Sequence, residues 1–84
     1  MSELESLKNK IKYRSSYRGT KEMDILLTTF VSKVIDLLSF DELKILNDFI
    51  NCGDEEINNF YSNGISIPSF NHKKILSLFR EHKI

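Results

Sequence analysis

The strongest helical pattern in the chain lies between Arg18 and Leu38. Apolar side chains recur there at three- and four-residue steps, which is the spacing of one face of an α-helix. This face consists of Met23, Leu26, Leu27, Phe30, Val31, Val34, Leu37 and Leu38. A helix of about 18 residues would be roughly 27 Å long, enough to span most of a small domain. The pattern therefore predicts a long central helix against which the other elements pack.

A first helix is predicted from about Glu3 to Ser16. Ser2 followed by Glu5 fits a capping box, in which each side chain bonds a free backbone N–H at the helix start. We expect Gly19 to close this helix in the left-handed conformation, because glycine adopts it without steric penalty. Gly19 or Thr20 would then cap the central helix.

Two further helices are predicted from their termini. Ser39 and Glu42 form a second capping box, and the helix that they open is expected to run to about Ile50 or Asn51. The acidic run Asp54–Glu56 suits the positive end of a short fourth helix. The dipeptide Asn63-Gly64 is a turn signal that would end it.

The last third of the chain combines a connector with a fifth helix. Pro68 disfavours helical conformation at the residue before it, so residues 65–70 are predicted to be extended. A helix from about Asn71 to His82 follows. No segment alternates as a strand would. The fold class predicted for residues 1–84 is therefore a single all-α domain, a compact bundle of about five short helices with one long central helix.

Chain length limits the functions that such a domain can perform. The 84 residues, 40% of them hydrophobic, suffice for one core. A domain of this size hides only about 60–65% of the surface that its unfolded chain exposes. Action by contact with another protein is therefore favoured over catalysis in an enclosed pocket, and we expect no enzymatic activity.

Cysteine content and the first residues bear on the compartment. Cys52 is the only cysteine, so no intrachain disulfide can form and a reducing compartment is indicated. The acidic start Met1-Ser2-Glu3-Leu4-Glu5 resembles neither a signal peptide nor a transit peptide. The bacterial cytoplasm is expected rather than the mitochondrial matrix. No apolar run approaches the ~20 residues of a membrane span, so no membrane insertion is expected.

Charge is segregated along the chain although the net charge is zero. The stretch from Lys8 to Lys21 carries six bases and no acid, whereas the stretch from Glu22 to Glu56 carries nine acids and two lysines. Such asymmetry can steer a partner, or it can simply mark solvated helix faces. An alternative function is nucleic-acid binding by the Lys8–Lys21 stretch. The zero net charge and the acidic middle count against it.

Residues that could carry chemistry form no recognisable set. His72 and His82 are ten positions apart and have no metal-ligating partner at helical spacing, so we expect surface histidines and no metal site. Ser15 and Ser16 lack the histidine or cysteine motif of a nucleophile and are interpreted as helix-end serines. The Asp54–Glu56 run lacks the alternating oxygen ligands of a calcium loop.

The most suggestive cluster surrounds Arg18, where the first two helices meet. Arginine offers a planar fork of donors, Gly19 lets another backbone come close, and Glu22 can accept N–H groups. Tyr and Arg are also the residue types most frequent in binding hot spots. Alternatively, Arg18 and Glu22 are four residues apart and could form an internal ion pair. The residues alone leave both interpretations open.

The sequence YRSSYRGTKEMDILL, from Tyr13 to Leu27, with Phe30 after it, resembles the SdhE-type flavinylation factors, also called succinate dehydrogenase assembly factor two. Residues 38–43 and 54–61 are similar to further segments of that family. Phe60 stands where many members have tryptophan, and Tyr17 where a basic residue is common.

The resemblance implies an all-helical bundle with a non-enzymatic role. Family members bind the flavoprotein subunit of succinate dehydrogenase, and in some bacteria that of fumarate reductase. They promote covalent attachment of FAD to a histidine of that subunit. A monomer without stably bound FAD is expected. The contact residues carry over as Arg18, Gly19 and Glu22, with Arg14 and Asp24 as neighbours.

Overall fold

Five α-helices follow one another in a computed structural model, which describes residues 2–16, 19–68 and 70–82. They are α1 (Glu3–Ser15), α2 (Lys21–Val34), α3 (Phe40–Ile50), α4 (Asp54–Asn63) and α5 (Lys73–Glu81). Helix α1 packs against α2 and α3, and α5 packs against α3 and α4. The described residues contain no strand. The predicted all-α fold of five helices is confirmed.

The central helix α2 forms where the apolar pattern is strongest. Its side chains Met23, Leu26, Leu27, Phe30, Val31 and Val34 are all buried. Thr20 caps its start, since the Thr20 side chain accepts a hydrogen bond from the backbone N–H of Met23 at 3.2 Å. The helix has 14 residues, however, and not the predicted 18.

The early end of α2 has a local cause. Ser39 must adopt extended backbone to cap α3, so the chain has to leave the helix before it. A tight bond from the Leu37 N–H to the Val34 carbonyl, 2.9 Å long, closes this turn. The turn buries Ile35 and Leu38, while Leu37 is 69% exposed. The prediction that Leu37 belongs to the core face is therefore wrong.

The helix ends follow the predicted capping chemistry at most positions. Ser39 and Glu42 form both bonds of the capping box. Only half of the predicted capping box at the start of α1 forms among the described residues, since the Ser2 hydroxyl accepts from the Glu5 N–H at 3.2 Å. Gly64 closes α4 in the left-handed conformation, with φ of 69°. His72, whose ring nitrogen caps α5, sets the start of that helix at Lys73 rather than Asn71.

The core centres on Phe79 of α5, which is fully buried. Its ring lies 5.0 Å from those of Phe30 and Phe49, centroid to centroid, in edge-to-face contacts. The Phe60 and Tyr61 rings of α4 lie 6.4 and 5.1 Å away. One side chain thereby joins α2, α3, α4 and α5. Such offset and edge contacts stabilise beyond simple burial of area.

A charged pair reinforces the contact of α5 with α3. Lys74 donates a hydrogen bond to the Glu42 carboxylate. This bond, with the bond from the Ser39 backbone N–H, lowers the pKa of Glu42 to about 2. The capping carboxylate of α3 therefore stays charged at acidic pH values at which an ordinary glutamate would be protonated.

His82 is buried, so the expectation that it lies on the surface is wrong. Its Nε2 atom lies 2.9 Å from the Thr29 hydroxyl oxygen. That hydroxyl already donates to the Ile25 carbonyl at 2.7 Å, so Nε2 must carry the proton and donate. The His82 carbonyl accepts from the Tyr61 hydroxyl at 2.6 Å. These two bonds fasten the end of α5 to α2 and α4.

Protonation of His82 would place a second proton on Nδ1, which is buried without a hydrogen-bond partner among the described residues. Burial, with the nearby charge of Lys33, lowers the pKa of His82 below its ordinary 6.5. The unfolded chain therefore binds this proton at a higher pH than the folded chain does. The contribution of His82 to the free energy of unfolding is therefore fully present above pH 6.5. It decreases as the pH falls below 6.5, until the pH reaches the lowered pKa of the folded state.

We expect the free energy of unfolding to fall by up to about 1.4 kcal/mol per pH unit in that window. Urea unfolding at about pH 7.5 and about pH 5.5 would measure it. The His82→Gln variant should lose this part of the slope, whereas the His72→Gln variant should keep it. Equal slopes in the wild type and in His82→Gln would show that another group is responsible.

Candidate protein-docking site

The connection between α1 and α2 holds most of the predicted contact residues. Arg14 lies in the last turn of α1, Gly19 and Thr20 precede α2, and Glu22 lies in its first turn. Gly19, Thr20 and Glu22 are exposed. Gly19 and Thr20 were both candidates for the cap of α2. Thr20 is that cap, so Gly19 does not have this role. The connection forms a corner that is accessible to another molecule.

The two serines before this corner belong to the helix end. The hydroxyls of Ser15 and Ser16 both donate to the Lys12 carbonyl, at 2.9 and 3.0 Å. They satisfy a carbonyl that the terminating helix leaves free. Their interpretation as helix-end serines is confirmed.

Gly19 does not close α1 as predicted. Helix α1 ends at Ser15, and Ser16 is its cap, with its N–H bonded to the Tyr13 carbonyl. Among the described glycines only Gly64 has a positive φ. The Gly19 N–H instead donates to Oδ2 of Asp54, the first residue of α4, at 2.9 Å. The backbone conformation at Gly19 therefore does not demand glycine, but a Cβ atom there would lie 3.2 Å from Asp54 Oδ2.

Arg14 is also held by the turn between α3 and α4. Its Nη1 atom donates to Oδ1 of Asn51, the cap residue at the end of α3, at 3.3 Å. Asn51 and Asp54 therefore contact the α1–α2 connection on both sides. The sequence pattern did not assign either to the site, since nothing in it pairs residues more than thirty positions apart. The only signal was the acidic run at Asp54, which also explains a helix start.

The Glu22 side chain is exposed and makes no hydrogen bond or ion pair with the described part of the chain. It borders a shallow groove of about 460 Å³ between the starts of α2 and α4. The groove is lined by Thr20, Glu22, Met23, Asp54, Glu55 and Asn58. Three of these six residues are acidic, and the Met23 side chain supplies an apolar wall.

Asp24 is half-buried beside this corner. Its Oδ1 atom is shielded from solvent and has no hydrogen-bond partner among residues 2–16, 19–68 and 70–82. Arg18 and Tyr17 lie outside those described residues. The contact role of Arg18, and its alternative pairing with Glu22, therefore stay predictions.

The basic stretch considered for nucleic-acid binding is partly engaged with the protein itself. Lys8 forms an ion pair with Asp36 at 3.0 Å, and Arg14 bonds Asn51. Among the described residues of this stretch, Lys8 and Arg14 thus have partners within the chain. No observation on the described residues favours nucleic acid.

A search of the described residues finds no three His, Cys, Asp or Glu side chains grouped as a metal site. None of the helices described is both long and apolar enough to cross a membrane.

Fold and site together define a small all-helical protein with an exposed helix–loop–helix corner suited to docking on another protein. The family model described as flavinator of succinate dehydrogenase matches residues 9–83. The chain belongs to this family, whose members are assembly factors for succinate dehydrogenase.

Three similar proteins carry names that agree with this family. The mitochondrial succinate dehydrogenase assembly factor 2 of Dictyostelium discoideum is 30% identical over 98% of this chain and 58% of its own length. The mitochondrial assembly factor 2-A of Drosophila ananassae is 33% identical over 94% and 52%. The FAD assembly factor SdhE of Acetobacter pasteurianus is 28% identical over 77% and 60%.

The chain thus spans 52–60% of the length of these relatives. No solved structure matches it.

Proposed function

We propose that this protein binds the flavoprotein subunit of succinate dehydrogenase, or of the related fumarate reductase, and promotes covalent attachment of FAD to that subunit. The observation that carries the proposal is the family match over residues 9–83, which includes the whole α1–α2 corner. The exposure of Gly19 and Glu22 at that corner supports it.

The proposed role is that of a helper without catalytic groups of its own. The flavin and the residue that it modifies both belong to the client, and bond formation is chemistry of the cofactor. The helper holds no FAD stably and acts by stabilising the client conformation that favours attachment. A bacterial cytoplasm is the proposed compartment, and a monomer the proposed state.

Three residues of the corner would contribute different interactions to docking. The Arg18 guanidinium supplies paired donors for carbonyl or carboxylate groups of the client. Gly19 has no side chain and admits a client backbone at close range. The Glu22 carboxylate has no partner on its own chain among the described residues and can accept donors from the client. Arg14 and Asp24 flank these contacts.

Co-expression with a succinate dehydrogenase flavoprotein subunit tests the proposal, with covalent flavin read by in-gel fluorescence. We expect the protein to raise covalent flavin well above the level of the subunit alone. Arg18→Ala should weaken binding of the subunit by about 30-fold, as for a hot-spot arginine.

Arg80→Ala is a suitable control, because Arg80 is an exposed arginine in the last turn of α5, a helix that contributes no residue to the corner. It should leave attachment unchanged. Equal covalent flavin with and without the protein would overturn the proposed function.

A further inference from the structure

We propose that Asp54 is a positioning residue for the docking corner: it fixes the Gly19 backbone in the arrangement that the client recognises. The inference rests on the proposed function and deepens it, because it adds to the site a residue on a different helix. The carrying observation is the 2.9 Å hydrogen bond from the Gly19 N–H to the Asp54 carboxylate.

The hydrogen bond joins a residue within a helix, Asp54, to a residue in the connection between two helices, Gly19. Asp54 is the first residue of α4, so its backbone is fixed by the helix, whose N–H groups also favour a carboxylate there. Gly19 lies in an exposed connection and has no side chain of its own to hold it. A bond between an N–H and a charged acceptor is stronger than one between neutral groups. Asp54 can therefore hold the Gly19 backbone in one position.

A second hydrogen bond joins the turn between α3 and α4 to the end of α1. Asn51, three residues before Asp54, accepts from Arg14 at the end of α1. The α3–α4 turn thus holds the chain before and after the segment that contains Arg18. A preorganised segment loses less entropy on binding. These two hydrogen bonds should therefore raise the affinity for the client, although neither is itself a contact with the client.

An added side chain at position 19 would crowd the Asp54 carboxylate. A Cβ atom at this position would lie 3.2 Å from Asp54 Oδ2, closer than such atoms normally approach. The carboxylate would have to retreat by a few tenths of an ångström, which weakens its bond to the N–H. An alanine at position 19 would also stand where the client backbone is proposed to approach, so it should cost more affinity when Asp54 is present than when it is absent.

The hydrogen bond can be observed without any client. In two-dimensional amide NMR spectra of the full chain, we expect the Asp54→Ala variant to shift the Gly19 resonance and to speed exchange of its amide proton with solvent. Asp54→Asn keeps an oxygen that can accept the bond, so its exchange rate should stay close to that of the wild type. A Gly19 amide that exchanges equally fast in the wild type and in Asp54→Ala would show that this bond does not protect it.

Affinity for the purified flavoprotein subunit, measured by calorimetry, tests the role. We expect Asp54→Ala to bind about three- to tenfold more weakly, with Asp54→Asn, which keeps an oxygen for the Gly19 N–H, recovering most of the loss. Asp41→Ala removes an exposed acid from the first turn of α3 and controls for the helix dipole. It should bind like the wild type. Unfolding midpoints of all variants separate lost affinity from lost fold.

A double-mutant comparison separates positioning from direct contact. Gly19→Ala should weaken binding about threefold more in the wild type than in Asp54→Ala, because the second background lacks the crowding of Oδ2 and only the contact with the client is then disturbed. Equal losses in both backgrounds, or an Asp54→Ala variant that binds normally, would overturn the inference while the proposed function stands. A wild type that fails to bind the subunit counts instead against the proposed function.

Discussion

Replacing Phe79 by alanine is expected to lower the free energy of unfolding by about 3–5 kcal/mol. The ring is fully buried and touches aromatic rings from α2, α3 and α4, so its removal opens a cavity at the point where these helices meet. A domain of this length is typically stable by only about 4–13 kcal/mol. The variant should therefore lose much of its stability margin and bind its client poorly at physiological temperature.

Urea unfolding followed by circular dichroism measures this loss. Leu37→Ala is the matched control, since it also truncates a large apolar side chain, but one that is 69% exposed. It should change stability by no more than about 0.5 kcal/mol. Similar losses for the two variants would mean that Phe79 is not the centre of the core.

Gly19→Arg should reduce covalent flavinylation to the level found without the protein. Its Cβ would crowd the Asp54 carboxylate, and the long side chain would occupy the corner at which a client backbone is proposed to approach. The added guanidinium group also lies beside the acidic groove and can bind the carboxylates that line it. The fold should survive, because Gly19 is exposed and Thr20, not Gly19, caps α2.

In-gel flavin fluorescence after co-expression measures the effect, with circular dichroism to verify folding. Asn63→Arg is the matched control. It adds the same side chain at an exposed position, at the end of α4 opposite to Asp54. It should support wild-type attachment. If Gly19→Arg did so too, the α1–α2 corner would be excluded as the docking surface.

The proposed positioning of Gly19 by Asp54 gives these two glycine substitutions different meanings. Alanine disturbs the hydrogen bond to Asp54 and should therefore cost more affinity when Asp54 is present than when it is absent. Arginine adds bulk and charge in the corner and should act whether or not Asp54 is present. Measuring both substitutions in the wild type and in Asp54→Ala therefore distinguishes the positioning of Gly19 by Asp54 from the direct contact of the corner with the client.

Local chemistry was enough to predict most of the fold from the sequence. The capping box at Ser39 and Glu42, the turn at Asn63-Gly64 and the apolar face of α2 each depend on residues within a few positions of one another. Helical periodicity and capping are local properties, so a linear pattern contains them in full. The family resemblance could likewise be seen in consecutive residues, and it pointed to the α1–α2 corner.

Only the tertiary structure decided the contacts between distant residues. His82 is buried because its ring and its carbonyl form hydrogen bonds with α2 and α4. Gly19 proved to face Asp54, 35 positions away. Each of these outcomes depends on how whole helices pack. The sequence by itself therefore determined which helices form and where the corner lies, whereas packing determined which residues hold that corner in place.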